Sequence, residues 1–165
     1  MHYSKIIPFD VANGPGFRVS LFVSGCRNQC PGCFNKEAWD FEYGTRFTWE
    51  TVHEIEKLLA NPNVRGLSIL GGDPFEPENR LEVIALCGYV RHKCPDKDIW
   101  MWTGCLWEDV NDLPIMNHID VLVDGPFEED KKDLKLAYSG SWNQRTIDVK
   151  KSLDTGEVVL WGNEE

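Results

Sequence analysis

Four short apolar runs, residues 17–23 (FRVSLFV), 66–72 (GLSILGG), 98–104 (DIWMWTG) and 119–125 (IDVLVDG), are separated by segments of a different character. No other feature restricts the fold so strongly. In the first run Phe17, Val19, Leu21 and Val23 alternate with other residues, and the turn signal NGPG (13–16) precedes it, so it reads as the first strand. The segment TWETVHEIEKLLA predicts a helix: Thr48 is its N-cap, Glu50 lies in its first turn, Val52, Ile55 and Leu59 recur at helical intervals, and Asn61-Pro62 ends it. PENRLEVIALCGYVRHKC predicts a second helix with Leu81, Ile84, Ala85 and Gly88 on one face and a stop at Pro95. A short helix is compatible with residues 106–112. TIDV (146–149) and EVVLW (157–161), joined through Asp154-Thr155-Gly156, read as a closing pair of strands. Strands alternating with helices imply right-handed crossovers and a parallel sheet. No repeat, low-complexity tract or linker divides the sequence, so residues 1–165 are expected to form a single domain.

The chemically distinctive residues follow the strands. Cys26, Cys30 and Cys33 come after the first, Gly71-Gly72-Asp73-Pro74 after the second, Thr103-Gly104 after the third and Asp124-Gly125 after the fourth. In a parallel sheet or barrel the C-terminal strand ends share one edge, which is where such folds bind ligands. These residues are therefore expected to meet.

Three cysteines in the pattern Cys-x3-Cys-x2-Cys allow several readings. Structural zinc normally takes four ligands, so a fourth would have to come from a distant cysteine or histidine. Thiolates also hold iron-sulfur clusters, usually four per cluster. With three thiolates, one iron of a four-iron cluster stays open to substrate, and the spacing favours this reading over zinc or unliganded buried thiols. Gly-Gly-Asp-Pro taken alone is a turn after a strand, and its pairing with the cysteine loop favours a ligand role. Cys87 and Cys94 read as buried small side chains. His2, His53, His92 and His118 have no metal-ligand spacing among themselves.

Charge narrows the possible partners. Lys and Arg number 17 against 27 Asp and Glu, a formal net charge of −10. A nucleic-acid binder needs a basic footprint that this sequence lacks. No segment has the apolar length of a signal peptide or a membrane span, and a cytoplasmic protein is expected. In that reducing compartment, six cysteines point to metal ligands or buried thiols rather than disulfides.

CRNQCPGC resembles the Cys-x3-Cys-x2-Cys signature of radical S-adenosylmethionine enzymes, and GGDP is similar to that superfamily's glycine-rich segment. The likeness is closer still to the activating proteins of anaerobic, class III ribonucleoside-triphosphate reductases. NGPG, LFVSGC, CPGCFN, GGDPF, DIWMWTG, VLVDGPF and GSWNQR fall in that family's order and cover nearly the whole chain. Gly32 stands where the wider superfamily often has an aromatic residue, a departure that the reductase activators share. Cys105 stands where a tyrosine is expected after Thr-Gly.

The resemblance implies a 4Fe-4S cluster on Cys26, Cys30 and Cys33 whose open iron chelates the amino and carboxylate groups of S-adenosylmethionine. One electron then cleaves the sulfur to C5′ bond, and the 5′-deoxyadenosyl radical takes hydrogen from a glycine of the reductase large subunit. An electron donor protein is a second implied partner. The cofactor is expected against the backbone of Gly32, Cys33 and Phe34 and the loop Gly71, Gly72, Asp73 and Pro74. There the two glycines would admit close approach, and Asp73 would either orient the loop or meet the amino group. Thr103 and Asp124 are assigned to the methionine carboxylate, with a monovalent cation between the two anionic groups; their alternative is a cap or turn role. Trp142 and Arg145 are candidates for docking the reductase. The expected fold is an incomplete, TIM-like β/α barrel, because 165 residues fall short of the roughly 250 that eight units need. Two other functions stay open, an activase of another glycyl radical enzyme such as a formate-lyase and an iron-sulfur electron carrier.

Overall fold

The structure of the protein, a computed structural model, describes residues 1–162. Its strands are β1 (His2–Asp10), β2 (Phe17–Val23), β3 (Thr45–Arg46), β4 (Val64–Gly71), β5 (Asp98–Trp102), β6 (Val121–Asp124) and β7 (Arg145–Asp148). Helices α1 (Trp49–Leu59), α2 (Pro77–Lys93), α3 (Trp107–Val110) and α4 (Val149–Thr155) lie between or after them. All seven strands join one open sheet in the order β3-β1-β2-β4-β5-β6-β7. The four central strands are parallel, as the alternation implies, while β1, β3 and β7 pair antiparallel. The fold is α/β with a mixed sheet.

Register explains the core. Leu21, Ile69, Met101, Leu122 and Ile147 stand side by side across β2, β4, β5, β6 and β7, and Val19, Leu67 and Ile99 form a neighbouring row. All are buried, together with Val52, Ile55 and Leu59 of α1 and Val83, Leu86 and Val90 of α2. Because side chains alternate along a strand, the residues between them face the other way. That second face carries Arg18, Ser20, Ser68 and Trp100, and it is buried too. Tyr138 and Trp161 pack edge-on against Trp100, with ring centroids 5.0 and 4.8 Å away.

The first predicted helix matches α1, with Thr48 at its N-cap, where the Thr48 N–H donates to Thr51 Oγ1 at 3.2 Å. Three expectations are corrected. The first strand is β1, within a segment whose mixed polarity gives no alternation, and it is placed by pairing with β2. The second helix buries Asn79, Val83, Leu86, Cys87 and Val90, whereas Leu81 is 77% exposed. Two stripes of that sequence are apolar, and tertiary bonds choose between them: Asn79 Nδ2 donates to the carbonyls of Ser24 (2.9 Å) and Asp73 (3.0 Å), fixing the helix's rotation. Finally, the closing hairpin is a strand followed by a helix. Asp148 caps α4 by accepting from the Lys151 N–H at 3.0 Å, and Gly156, at φ +75°, ends it. Residues 157–161 then run beside β7 with a single bridge, Ile147 to Leu160.

Candidate functional site

The cysteine loop leaves β2 at the C-terminal edge of the sheet and is fastened along both flanks. Gly25 donates to the Ala38 carbonyl (2.8 Å) and accepts from the Asp73 N–H (2.8 Å), so both the following segment and the Gly-Gly-Asp-Pro loop grip it. Arg27 ties it to the start of α2: its N–H reaches Glu76 Oε1 at 2.6 Å, and its guanidinium pairs with Glu76 (2.6 Å) and Glu78 (2.5 Å). The Cys33 N–H closes a turn on the Cys30 carbonyl at 3.1 Å.

Cys26, Cys30 and Cys33 line one cavity of about 330 Å³. Phe34, Gly71, Gly72, Asp73, Thr103 and Gly104 share its wall. With Gly125, which also lines the cavity, residues that follow four strands far apart in sequence meet there. Gly32, Pro74 and Asp124 stand outside the lining. A β-carbon on Gly32 would lie 2.5 Å from the Glu129 carboxyl carbon, and its φ of +73° favours glycine.

Asp73 is the hub. It is 2% exposed, and its carboxylate accepts from Thr103 Oγ1 (2.9 and 3.0 Å), the Gly104 N–H (2.9 Å), the Phe75 N–H (2.9 Å) and Asn28 Nδ2 (3.1 Å). Burial pushes its pKa up while these donors oppose the shift. Both oxygens accept hydrogen bonds from within the protein. Thr103 is committed as well, because its hydroxyl donates to Asp73. Asp124 is 0% exposed and caps α3 by accepting from the Trp107 N–H at 2.7 Å. It also takes a forked ion pair from Arg145, which reaches on to Glu108 at 2.8 Å.

The glycines also make room for the protein itself. A β-carbon on Gly72 would lie 2.5 Å from the Gly25 carbonyl oxygen and 3.0 Å from that of Ala38, so the space is filled by the cysteine loop itself. Gly72→Ala should therefore push that loop away and cost about 1–3 kcal/mol by overpacking. Lower iron content after reconstitution, together with a lower Tm, is the expected result; full iron content would show that the loop yields freely.

Several lining residues carried no signal in the sequence. Asn28 sits inside the cysteine loop and could have been suspected from its position. Ala12 and Asn13, before the NGPG glycines, reach the cavity through tertiary folding alone, as do Ala137 and Tyr138, whereas Ser139, Gly140 and Gln144 fall in the polar, glycine-containing stretch SGSWNQR (139–145), whose composition suits a loop near the site or at a partner surface. The latter belong to the segment 126–144 between β6 and β7. Trp102 Nε1 holds it by donating to the Tyr138 carbonyl at 2.7 Å.

Donor chemistry tests what the cavity can hold. Three thiols form a soft ligand set suited to iron-sulfur clusters or zinc, and no other cysteine and no histidine is among the described lining residues. No group of three or more His, Cys, Asp or Glu among the described residues is arranged to hold a metal ion. The three thiols share the wall of one cavity, and a soft donor set of that kind is what an iron-sulfur cluster takes. The Cys26 thiol is pushed up to about 11, chiefly by burial, with the charges of Asp73 and Glu76 adding to it. A bound cation would reverse that preference by stabilising the thiolate.

The family model described as "4Fe-4S single cluster domain" matches residues 12–147, and with three cysteines gathered at the strand ends of an α/β sheet this places the chain in the class of iron-sulfur cluster proteins. Similar proteins narrow the class. The anaerobic ribonucleoside-triphosphate reductase-activating protein of Enterobacteria phage T4 is 43% identical over 145 residues, covering 88% of this chain and 92% of its own. Proteins of the same name from Vibrio cholerae (45% identical) and Escherichia coli K12 (42%) each align over 148 residues, 87% of this chain and 96% of theirs. The chain belongs to the family of anaerobic ribonucleoside-triphosphate reductase-activating proteins. Among the described residues no helix is long and apolar enough to cross a membrane.

Proposed function

We propose that this protein activates an anaerobic ribonucleotide reductase, with Cys26, Cys30 and Cys33 as the ligands of its cluster and S-adenosylmethionine as the second occupant of the cavity. Held by Cys26, Cys30 and Cys33, a 4Fe-4S cluster would supply the electron for reductive cleavage of S-adenosylmethionine, and the 5′-deoxyadenosyl radical would take a hydrogen atom from a glycine of the reductase to leave a glycyl radical there. The observation that carries the reading is the meeting of the three thiols with Gly71, Gly72 and Asp73 on one cavity wall. The open sheet is consistent with an incomplete barrel of the radical S-adenosylmethionine type, in one domain, whose unpaired side would admit a loop of the partner.

In this proposal the chain's own residues bind and orient. The Gly71 and Gly72 backbone would form the wall beside the cofactor, with the Gly32 to Phe34 backbone as a second contact. Asp73 holds Thr103, Gly104 and Asn28 in place around it. Thr103 and Asp124 act as positioning residues, since their polar atoms are already engaged, and no cation site is assigned to them. A low-potential electron donor protein completes the cycle.

Trp142 is 64% exposed, and Lys131 Nζ lies 5.0 Å from its ring centroid. An exposed tryptophan beside the cavity suits an interface anchor. The test mixes the reduced, cluster-loaded protein with S-adenosylmethionine and the anaerobic reductase large subunit and seeks a glycyl radical by electron paramagnetic resonance. A radical on the large subunit is expected, and Trp142→Ala should lower its yield about tenfold, as for an interface hot spot, while cleavage without the reductase is retained. Turnover of a free metabolite with no protein partner, and no radical on the reductase, would remove the proposal.

A further inference from the structure

Arg27 is one of the residues between Cys26 and Cys30, yet it does not line the cavity that those cysteines share. Its guanidinium forks onto Glu78 (2.9 and 2.5 Å) and reaches Glu76 Oε2 at 2.6 Å, while its own N–H donates to Glu76 Oε1 at 2.6 Å. The same guanidinium stands 4.5 Å from the Phe41 ring centroid, and a β-carbon on Gly25 would lie 2.2 Å from that ring, so Phe41 packs against the loop on both sides of Cys26. Isolated surface ion pairs contribute little to stability. A bidentate pair inside a network is the exception.

The stretch that this network holds has few other ties. Gly25 and Cys26 are bonded to Ala38, Asp73 and Trp39, and Asn28 Nδ2 to Asp73. Beyond Asn28, among the described residues, no hydrogen bond or ion pair joins residues 29–34 to another element, and the Cys33 N–H closes only on the Cys30 carbonyl. Cys30 and Cys33 are thus placed by the ends of this stretch. Arg27 and Asn28 fasten its leading end, Asn28 from inside the cavity and Arg27 from outside. The anchor on the far side is firm, because the Glu76 N–H donates to the Asp73 carbonyl at 3.2 Å and Asn79 Nδ2 joins the Ser24 and Asp73 carbonyls. Through Arg27 the start of α2 therefore ties the cysteine loop to the wall formed by Gly71, Gly72 and Asp73.

We infer that Arg27 is a positioning residue: by pairing with Glu76 and Glu78 it holds Cys30 and Cys33 at the cavity wall, so that retention of a bound cluster depends on an ion pair outside the cavity. The inference rests on the proposed ligation by three thiols. Salt screens an exposed ion pair but acts far less on buried contacts, so cluster retention should be salt-sensitive through Arg27.

The test uses the full chain with Arg27→Gln, Glu78→Gln and the two together. Among the described residues Glu78 bonds to the cysteine loop only through Arg27. In the protein without cofactors, hydrogen exchange of the Cys26 and Cys33 amides should accelerate in Arg27→Gln, while that of residues 83–90 in α2 is unchanged. In the reconstituted protein at low salt, iron transfer to an excess of chelator should quicken about fivefold in Arg27→Gln, by less in Glu78→Gln, and no further in the double variant. Raising the ionic strength should speed iron transfer from the unsubstituted protein and have much less effect on Arg27→Gln. Amide exchange and iron transfer at the unsubstituted rates in Arg27→Gln, additive effects in the double variant, or an equal salt response with and without Arg27 would overturn the inference. If the unsubstituted protein takes up no cluster, the ligand assignment itself fails, and that is seen before any variant is compared.

Discussion

Cys26→Ala, Cys30→Ala and Cys33→Ala should each abolish a stable four-iron cluster and all glycyl radical formation, while Cys87→Ala, Cys94→Ala and Cys105→Ala keep their iron. The contrast follows from placement. The first three thiols line the cavity on a loop anchored to the sheet edge. Cys87 and Cys94 belong to the hydrophobic core, where burial pushes the Cys87 thiol up to about 12. A thiol so resistant to ionisation is a packing group, and its loss should cost only the few tenths to about 1 kcal/mol of a small core truncation. Cys105 packs partly against the same core and is absent from the cavity lining. Iron and sulfide analysis after anaerobic reconstitution checks all six. Full cluster occupancy in any of the first three variants would overturn the ligand assignment.

Asp73→Ala should be the most damaging substitution outside the cysteines. It removes the acceptor for Thr103, Gly104, Phe75 and Asn28 together, and these donors come from the ends of β4 and β5 and from the cysteine loop. Each buried donor left without a partner costs about 1–3 kcal/mol, so a loss of roughly 3 kcal/mol or more is expected. Against a typical stability of about 5–15 kcal/mol this leaves a folded but weakened protein. The cavity wall should loosen in the same step, with loss of both iron and S-adenosylmethionine binding. Asp73→Asn keeps the shape but turns one acceptor into a donor facing other donors, and it should recover only part of the stability. Chemical denaturation and equilibrium cofactor binding check the pair. Loss of cofactor binding at unchanged stability would instead mark Asp73 as a direct cofactor ligand.

The family comparison and the cavity bear on different questions. Identity above 40% across most of the chain fixes the family, and the matched cluster domain fixes the class of prosthetic group. How the side chains share the work comes from geometry. Arg145, expected at a docking surface, is tied at the base of segment 126–144 to a buried carboxylate, and its removal would leave Asp124 unpaired. Arg145→Ala should therefore damage folding along with radical transfer, which makes Trp142 the cleaner probe of docking.

The sequence by itself determined the alternation of strands and helices, the parallel centre of the sheet and the edge at which its chemistry collects. It could do so because those properties are local: alternation along a strand, a cap before a helix and glycine at a turn each involve residues close together in the chain. Spacing within one loop likewise singled out Cys26, Cys30 and Cys33. Tertiary structure alone decided the rest. The rotation of α2 depended on where Asn79 found its carbonyls, since two stripes of that helix were apolar enough to face inward. The partner of Asp73 was Thr103, 30 residues away, and that of Asp124 was Arg145, 21 residues away, and neither pairing can be read from the strand ends taken singly. Gly72 clears space for the cysteine loop because β2 and β4 are neighbours in the sheet. A hydrogen-bonding group's partner is set by what folding brings within about 3 Å of it, and the linear order of residues does not contain that distance.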